Sequence, residues 1–228
     1  MEGFRGNVEQ RIRQWSRWLL DAFFPERCVV CGREGSAFCI VCSEQTLPRP
    51  FSSTLKDGTP ISALYHYADP RLRSVFGAYK FRGRSGARAA IALLVQRASA
   101  QAHTLLPHGP AILVPIPLGR MRMRERGFNQ AEEFAMLLLP MLRDGSLIVP
   151  MLRRVRATRQ QSSAPKDARR ENVANAFALQ SDLPFIEGKR IVLVDDVVTS
   201  GETLMAAAGL LRAAGYKNIS AVVFSSAG

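Results

Sequence analysis

Apolar runs and helical stripes follow one another along most of this chain, as expected for alternating strands and helices. Runs rich in aliphatic, β-branched and aromatic residues predict strands over 61–67, 111–115, part of 146–153, 173–179, 191–194 and 219–224. Helices are predicted over 70–79, 86–102, 131–142 and 204–214. Because the run at 191–194 is apolar at every position, its strand should be buried on both faces. The pattern predicts an α/β fold: a mainly parallel sheet of about five strands or slightly more, flanked by helices.

The first residues predict an amphipathic helix over 8–23, which Pro25 ends. Its apolar face carries, at helical spacing, Val8, Ile12, Trp15, Leu19, Ala22 and Phe23. We expect this helix to dock on the rest of the protein, with a membrane surface or a partner protein as the alternative. Arginines interrupt its apolar residues, unlike a signal peptide, and no apolar run approaches the roughly 20 residues of a membrane span. A cytoplasmic protein is therefore expected.

All the cysteines lie near the N-terminus in two C-x-x-C pairs: Cys28 and Cys31, then Cys39 and Cys42. Four thiolates suit Zn²⁺ and close a tetrahedral structural site that has no open position. Gly32 follows the first pair, where the chain must turn tightly past the metal. The spacing predicts a small structural zinc module that resembles a zinc ribbon, with a dithiol redox pair as the alternative.

Residues 47–58 are rich in Pro, Ser, Asp and Gly, which is a composition typical of a linker. We therefore place a domain boundary there. The expected organisation is an N-terminal helix over 1–24, the zinc module over 25–50 and a main domain over 51–228.

Residues 190–204 are the main candidate for a functional site. In this segment a buried strand, two acids, a hydroxyl-rich turn and a helix follow one another in order. Asp195 and Asp196 end the strand, and their carboxylates can accept hydrogen bonds from sugar hydroxyls. The turn, called the phosphate turn below, consists of Val198, Thr199, Ser200, Gly201, Glu202 and Thr203. Its glycine allows close backbone approach, and the N–H groups at the start of a helix favour an anion. The segment predicts a sugar phosphate site.

A cationic segment follows the strand at 111–115. The sequence of residues 116–119, called the proline loop below, is Ile-Pro-Leu-Gly, which imposes a rigid turn. Arginines then alternate with other residues at Arg120, Arg122, Arg124 and Arg126. The net charge is +12, and the basic excess lies in the middle of the chain. A phosphate-binding cleft, a nucleic-acid surface or a solvated arginine-rich surface would each account for it.

Residues 154–172 are polar and basic and show no periodicity, which favours a mobile loop over a regular element. A surface excursion without a role in the site is the alternative. Lys166 and Arg169 are the candidate cations of this loop.

The strand, acid pair and Thr-Ser-Gly-x-Thr turn of 190–204 resemble the phosphoribosyl pyrophosphate (PRPP) motif of type I phosphoribosyltransferases. Neither a Walker A loop nor a dinucleotide fingerprint fits the segment. The proline loop, the spaced arginines and Arg-Gly-Phe-Asn-Gln at 126–130 resemble the ComF-like family. That family has the phosphoribosyltransferase fold, is linked to bacterial competence for DNA uptake and typically carries a four-cysteine zinc module. The resemblance covers roughly residues 25–226.

The resemblance implies displacement at the anomeric carbon of PRPP, with pyrophosphate leaving and Mg²⁺ neutralising it. Asp195 and Asp196 would hold the ribose hydroxyls, directly or through Mg²⁺, and the phosphate turn would hold the 5′-phosphate. Arg120 and Arg124 are the expected pyrophosphate contacts, since arginine forks bind several phosphate oxygens. A cation of the 154–172 loop would close the site.

No segment of the sequence indicates a nucleobase pocket, so the acceptor is open. The first hypothesis is an active phosphoribosyltransferase with an unknown acceptor. The second is a regulator that binds PRPP in a degenerate site. The third is a competence-type protein whose zinc module and basic middle bind DNA or a DNA-processing partner.

Overall fold

The computed structural model describes residues 25–80, 85–102, 106, 109–142, 145–155, 176–181 and 190–227. The predicted helix at 8–23, most of the predicted 154–172 loop and its cations Lys166 and Arg169 lie outside the described residues. Among the helices of the described ranges, none combines the length and apolar character needed to cross a membrane.

The described strands are β1 (Phe51–Thr54), β2 (Pro60–His66), β3 (Ala111–Pro115), β4 (Leu147–Ile148), β5 (Leu152–Arg154), β6 (Phe177–Leu179), β7 (Arg190–Val198) and β8 (Ile219–Ser226). The described helices are α1 (Ile40–Gln45), α2 (Pro70–Lys80), α3 (Ser85–Ala102), α4 (Arg120–Arg126), α5 (Gln130–Leu138) and α6 (Glu202–Ala213). A short 3₁₀ turn at Leu139–Met141 follows α5.

Six strands form one sheet in the order β1-β2-β8-β7-β3-β4. The β1–β2 pair is antiparallel, and the pairs β2–β8, β8–β7, β7–β3 and β3–β4 are parallel. Strands β5 and β6 form a separate antiparallel pair. The sheet confirms the predicted α/β fold, and it places β7 in the centre with the carboxyl ends of β3 and β8 on either side.

Helices cover both faces of the sheet, and the alternating side chains of β7 show how. On one face Val192 belongs to the same buried cluster as Phe134 of α5. On the other face Leu193 belongs to a cluster with Leu204 of α6. Burying each such side chain contributes about 1.5–3 kcal/mol relative to leaving it exposed. Hydrophobic burial on two sides therefore fixes β7, and with it the position of the acids at its end.

Three local predictions differ from the structure. The linker prediction for 47–58 is wrong at β1, which pairs along the sheet edge and is mostly exposed, so its polar composition resembles that of a loop. The arginine run, which lies outside the predicted helices, forms α4, because Arg, Met and Glu are good helix formers. The single strand expected within 146–153 is divided between β4 and β5, which belong to different sheets.

The cysteine region packs directly on the main sheet and its helices. Phe38 and three of the cysteines lie in the same buried cluster as side chains of α3. Gly86, near the start of α3, lies against Ala37, and a Cβ atom on Gly86 would collide with the Ala37 side chain. Further along α3, Arg97 Nη1 donates to Oγ of the buried Ser43 at 3.1 Å. The cysteine region and α3 therefore share one hydrophobic core.

Gly86→Ala is expected to destabilise the protein by roughly 1–3 kcal/mol, because the added methyl group overpacks the contact with Ala37. Gly77→Ala is the matched control, since a Cβ atom there meets nothing within 4 Å. This second change lies in α2 and should stabilise the protein by up to about 1 kcal/mol. Urea unfolding measures both variants, and equal losses would contradict the described packing.

Candidate functional site

The two acids lie near the carboxyl end of β7, in the middle of the sheet. They do not end the strand as expected, because β7 continues through Val197 and Val198. Strand alternation puts Asp195 on the face of Leu193 and Asp196 on the face of Val194. The backbone N–H of Asp196 donates to Asp195 Oδ1 at 2.8 Å, and the N–H of Val197 donates to Asp196 Oδ1 at 2.7 Å. Both carboxylates are therefore held against the end of their own strand.

Asp195 is difficult to ionise in this setting. Burial and the neighbouring charge of Asp196 raise the pKa of Asp195 well above its ordinary value. The charge of Arg154 and the N–H group of Asp196 act in the opposite direction but do not offset the rise. A ligand that brings a cation or several hydroxyl donors to this edge would favour the ionised form.

The phosphate turn leads from β7 into α6. Thr199 and Ser200 are exposed, and Gly201 precedes the helix with φ at +74°. A Cβ atom on Gly201 would also lie only 2.7 Å from Cδ2 of Leu55. The position therefore needs glycine for its backbone conformation and for the space beside it. Since glycine offers no side chain to cap α6, the N–H groups of the first helical turn remain suited to an anion.

The turn between β1 and β2 is fastened to α6. Arg212 donates through Nη1 to Asp57 Oδ2 at 2.8 Å and through Nη2 to Thr59 Oγ1 at 2.7 Å. Burial alone would raise the pKa of Asp57, but Arg212 and Thr59 hold it below its ordinary value. These contacts keep Leu55 against Gly201, so a segment distant in sequence helps to shape the phosphate turn.

The proline loop is tied to both of its neighbours. The N–H of Ile116 donates to the carbonyl of Val194 at 2.9 Å, directly before the acid pair. The carbonyl of Ile116 accepts from Asn129 Nδ2 at 3.1 Å, while Asn129 Oδ1 accepts from the N–H of Ala131 and so caps α5. The asparagine of the Arg-Gly-Phe-Asn-Gln segment thus fixes the proline loop beside the end of β7.

The four alternating arginines lie on two sides of helix α4. Arg120 and Arg124 are exposed, whereas Arg122 and Arg126 are half-buried. At about 100° per residue, positions two apart lie on opposite sides of a helix and positions four apart on the same side. Arg126 Nη1 donates to Gln130 Oε1 at 3.0 Å. The two arginines expected to contact pyrophosphate therefore lie on the exposed side of α4.

Arg154, at the end of β5, was not singled out by the sequence. Its Cδ lies 3.7 Å from where a Cβ of Gly119 would be, and its Cζ lies 5.3 Å from the ring centroid of Phe177. Burial and the charge of Arg122 lower the pKa of Arg154, and the charge of Asp195 raises it. The sequence does not distinguish Arg154 from Arg153, because which of the two points inward depends on where β5 lies.

A cluster of aromatic and charged side chains lies on the face of the sheet that carries Asp196. The Tyr79 hydroxyl donates to Glu133 Oε2 at 2.7 Å, and Arg88 Nη2 lies 2.6 Å from Glu133 Oε1. The Arg88 guanidinium stands over the Phe128 ring, 4.4 Å from its centroid. Burial, the bond to Glu133 and the charge of Asp196 raise the pKa of Tyr79, so this phenol stays protonated and donates. The cluster joins α2, α3 and α5 under the acid pair.

The four cysteine sulfur atoms converge, and all of them lie within 4.8 Å of one another. The first pair occupies a tight turn in which the N–H of Gly32 donates to the carbonyl of Cys28 at 2.8 Å. The second pair does not form a tight turn of this kind. Cys39 is the N-cap of α1, and Cys42 lies in the first turn of that helix. Such a set of converging thiols could hold a metal ion.

Two of the cysteines have pKa values that are shifted in opposite directions. Burial alone would raise the pKa of Cys28, but the N–H groups of Cys39, Cys31 and Val30 lower it to about 6. For Cys42, burial and the neighbouring thiols raise the pKa. A bound cation would reduce the repulsion between neighbouring thiolates and so favour the ionised form of each.

Comparison with known proteins agrees with this geometry. The phosphoribosyl transferase domain family matches residues 126–228, a range that contains both acids and the phosphate turn. DNA utilization protein YhgH of Salmonella typhi is 35% identical over 196 residues, which cover 81% of this chain and 83% of that protein. The chain belongs to the ComF-like family.

Two further relatives carry competence names. Competence protein F of Haemophilus influenzae is 32% identical over 160 residues, which cover 68% of this chain and 67% of that protein. Competence protein ComFC of Bacillus subtilis is 30% identical over 186 residues, which cover 81% of this chain and 70% of that protein. The predicted family and fold are confirmed, and this ComF-like protein carries a phosphoribosyltransferase domain.

Asp195→Asn is expected to stabilise the ligand-free ComF-like protein at neutral pH. The folded state raises the pKa of Asp195, so ionisation of this side chain lowers the free energy of unfolding. The loss of stability grows as the pH rises above the ordinary pKa range of an aspartate. The variant should lose this part of the pH dependence. Thermal unfolding across pH measures the effect, since 1 kcal/mol moves the melting temperature of a chain of this size by roughly 2–4 °C.

Asp57→Asn is the control with the opposite sign. The folded state lowers the pKa of Asp57, so its stabilising contribution is present above the ordinary aspartate range and is lost as pH falls. This variant should therefore be less stable than the wild type at neutral pH. A destabilised Asp195→Asn variant would show that the acid pair is not electrostatically strained.

Proposed function

We propose that this protein binds PRPP together with Mg²⁺ and transfers its phosphoribosyl group to an acceptor, releasing pyrophosphate. The proposal depends mainly on one observation: the acid pair of β7, Gly201 and the start of α6 follow one another directly along the chain. In this assignment the backbone and hydroxyl donors of residues 198–203 hold the 5′-phosphate. Asp195 and Asp196 accept hydrogen bonds from the ribose hydroxyls. The phosphoribosyl transferase domain match over the same residues supports this assignment.

The reaction breaks the bond between the anomeric carbon and the pyrophosphate oxygen, and it forms a bond to the nucleophile of the acceptor. Positive charge develops on the ribose ring as the leaving group departs, and two carboxylates at this edge favour that charge. Mg²⁺ bound to the pyrophosphate oxygens would neutralise the leaving group. The raised pKa of Asp195 fits this role, because a nearby cation offsets the cost of ionising it.

Calorimetry with PRPP and Mg²⁺ tests the binding site. Asp195→Asn and Asp196→Asn should each weaken PRPP binding about tenfold to a hundredfold, as expected for the loss of a charged hydrogen-bond acceptor worth roughly 1.5–3 kcal/mol. Glu125→Gln is the matched control, since it removes one carboxylate from an exposed position of α4. Unchanged PRPP binding in both aspartate variants would contradict the assignment of the acid pair.

We also propose that the four cysteines hold a structural zinc ion. The convergence of the sulfur atoms and the packing of this region against α3 support the proposal. Elemental analysis should find about one zinc ion per chain, as expected for a closed four-thiolate site.

Removal of the zinc by a chelator should lower the melting temperature, because the metal stabilises the part of the core that includes Phe38. Cys39→Ser should have the same effect without a chelator. A metal-free protein of unchanged stability would contradict a structural zinc.

Action on DNA is the second candidate function. Relatives are named as competence and DNA utilization proteins, and the exposed Arg120 and Arg124 place two cations on the solvent side of α4. Such a surface suits the phosphates of DNA or an acidic partner protein. It is compatible with a PRPP site at the sheet edge, since the two groups of arginines face different directions.

A further inference from the structure

The turn between β1 and β2 contacts the α6 segment at two separate places. At the start of the helix Leu55 lies beside Gly201, where a Cβ atom would be only 2.7 Å from Cδ2 of Leu55. Near the end of the helix Arg212 donates to Asp57 and Thr59 of the same turn. Residues 201 and 212 are roughly 16 Å apart along the axis of an α-helix. The two contacts together fix α6 against the turn in position and in direction.

The β1–β2 turn is rigid, because its polar groups bond to one another. The N–H of Leu55 donates to the carbonyl of Thr59 at 2.9 Å, and the N–H of Gly58 donates to the carbonyl of Leu55 at 2.9 Å. Asp57 accepts from the N–H of Thr59 at 3.1 Å and from its hydroxyl at 2.8 Å. Thr59 is buried. A shift of Asp57 would therefore also move Leu55.

The ion pair between Asp57 and Arg212 holds this rigid turn on the helix. The two side chains are 25% and 36% exposed, so the pair is partly shielded from water. Arg212 uses one nitrogen for the carboxylate and another for the hydroxyl of Thr59, which fixes the plane of its guanidinium. The partners are 155 residues apart in the sequence, so the pair is a tertiary contact.

Leu55 packs beneath the phosphate turn. It lies against the buried cluster that contains Val198 and Leu204, the residues on either side of the exposed part of this turn. Thr199 and Ser200, between them, are exposed. Their hydroxyls and the N–H groups at the start of α6 must point at one anion, so a displacement of the turn would weaken several donors together.

The acid pair does not depend on these contacts. Asp195 and Asp196 are held by backbone N–H groups of β7 itself. Loss of the contact between the β1–β2 turn and α6 should therefore affect the phosphate end of the site selectively.

We propose that Leu55, Asp57 and Arg212 form a latch that positions the phosphate turn and sets the affinity for the 5′-phosphate of the ligand. They are positioning residues, since they act through Gly201 and the start of α6. The inference rests on the proposed function. It adds the β1–β2 turn to the site, although this turn lies outside residues 126–228, which match the phosphoribosyl transferase domain.

Calorimetry with three ligands tests the latch: PRPP with Mg²⁺, ribose 5-phosphate, and pyrophosphate with Mg²⁺. Arg212→Gln and Leu55→Ala should each weaken binding of PRPP and ribose 5-phosphate about threefold to tenfold, as expected for the loss of a partly shielded contact that orders several donors. Pyrophosphate binding should change less than about twofold, because pyrophosphate lacks the phosphorylated ribose.

Arg71→Gln is the matched control. It removes an arginine from another ion pair, with Asp69, whose side chains are 35% and 25% exposed, almost as in the latch. This variant should bind all three ligands as the wild type does. Melting temperatures establish that each variant is folded, and if Leu55→Ala does not fold, Arg212→Gln and Asp57→Asn decide the question.

Exchange of the two charges separates positioning from a general loss of stability. The double variant with Asp57→Arg and Arg212→Asp restores an ion pair between the turn and α6, and it should recover most of the ribose 5-phosphate affinity that Arg212→Gln loses. A folded double variant that binds as weakly as Arg212→Gln would contradict the latch.

The negative results have different meanings. A wild type that binds neither PRPP nor ribose 5-phosphate would refute the proposed function itself. A wild type that binds both, with latch variants that bind them as tightly as Arg71→Gln does, would refute only the latch. Equal losses for ribose 5-phosphate and pyrophosphate would also refute it, because the turn would then act on the whole site and not on the 5′-phosphate.

Discussion

Burial of β7 on both faces is the constraint on which the site depends. Residues 191–194 are fully buried between α5 on one side and α6 on the other, so the strand cannot shift along its axis without exposing apolar surface. Asp195 and Asp196 come directly after this anchored run. The position of the acid pair is therefore set by the hydrophobic packing of the residues immediately before it, and its carboxylates are held by the backbone of their own strand.

Segments distant in sequence complete the site around this strand. The β1–β2 turn presses Leu55 on Gly201 and is fastened to α6 through Asp57 and Arg212. On the other side Asn129 joins the proline loop to α5. The site is thus shaped by small polar contacts between elements that hydrophobic burial has already placed, which is how a rigid scaffold can position exposed functional loops.

Electrostatic strain is the cost of this arrangement. The charge of Asp196 opposes the ionisation of Asp195, and the charge of Arg122 lowers the pKa of Arg154 nearby. Stability alone would favour fewer such charges at a half-buried edge, and a ligand with matching charges would relieve both conflicts. The strain is therefore consistent with binding of an anionic sugar ester, and it is the reason that Asp195→Asn is expected to gain stability while losing affinity.

The sequence by itself determined the α/β fold, the strand–acid–turn–helix order of 190–204 and the paired cysteines, because these depend on local periodicity and residue chemistry. It did not reveal β1 as an edge strand, since polar exposed strands and loops have similar compositions. Only the tertiary structure made one side of α4 exposed and the other half-buried, and only it brought Arg154 against Gly119. Local patterns specify each element, whereas contacts between distant elements depend on how the sheet orders and packs them.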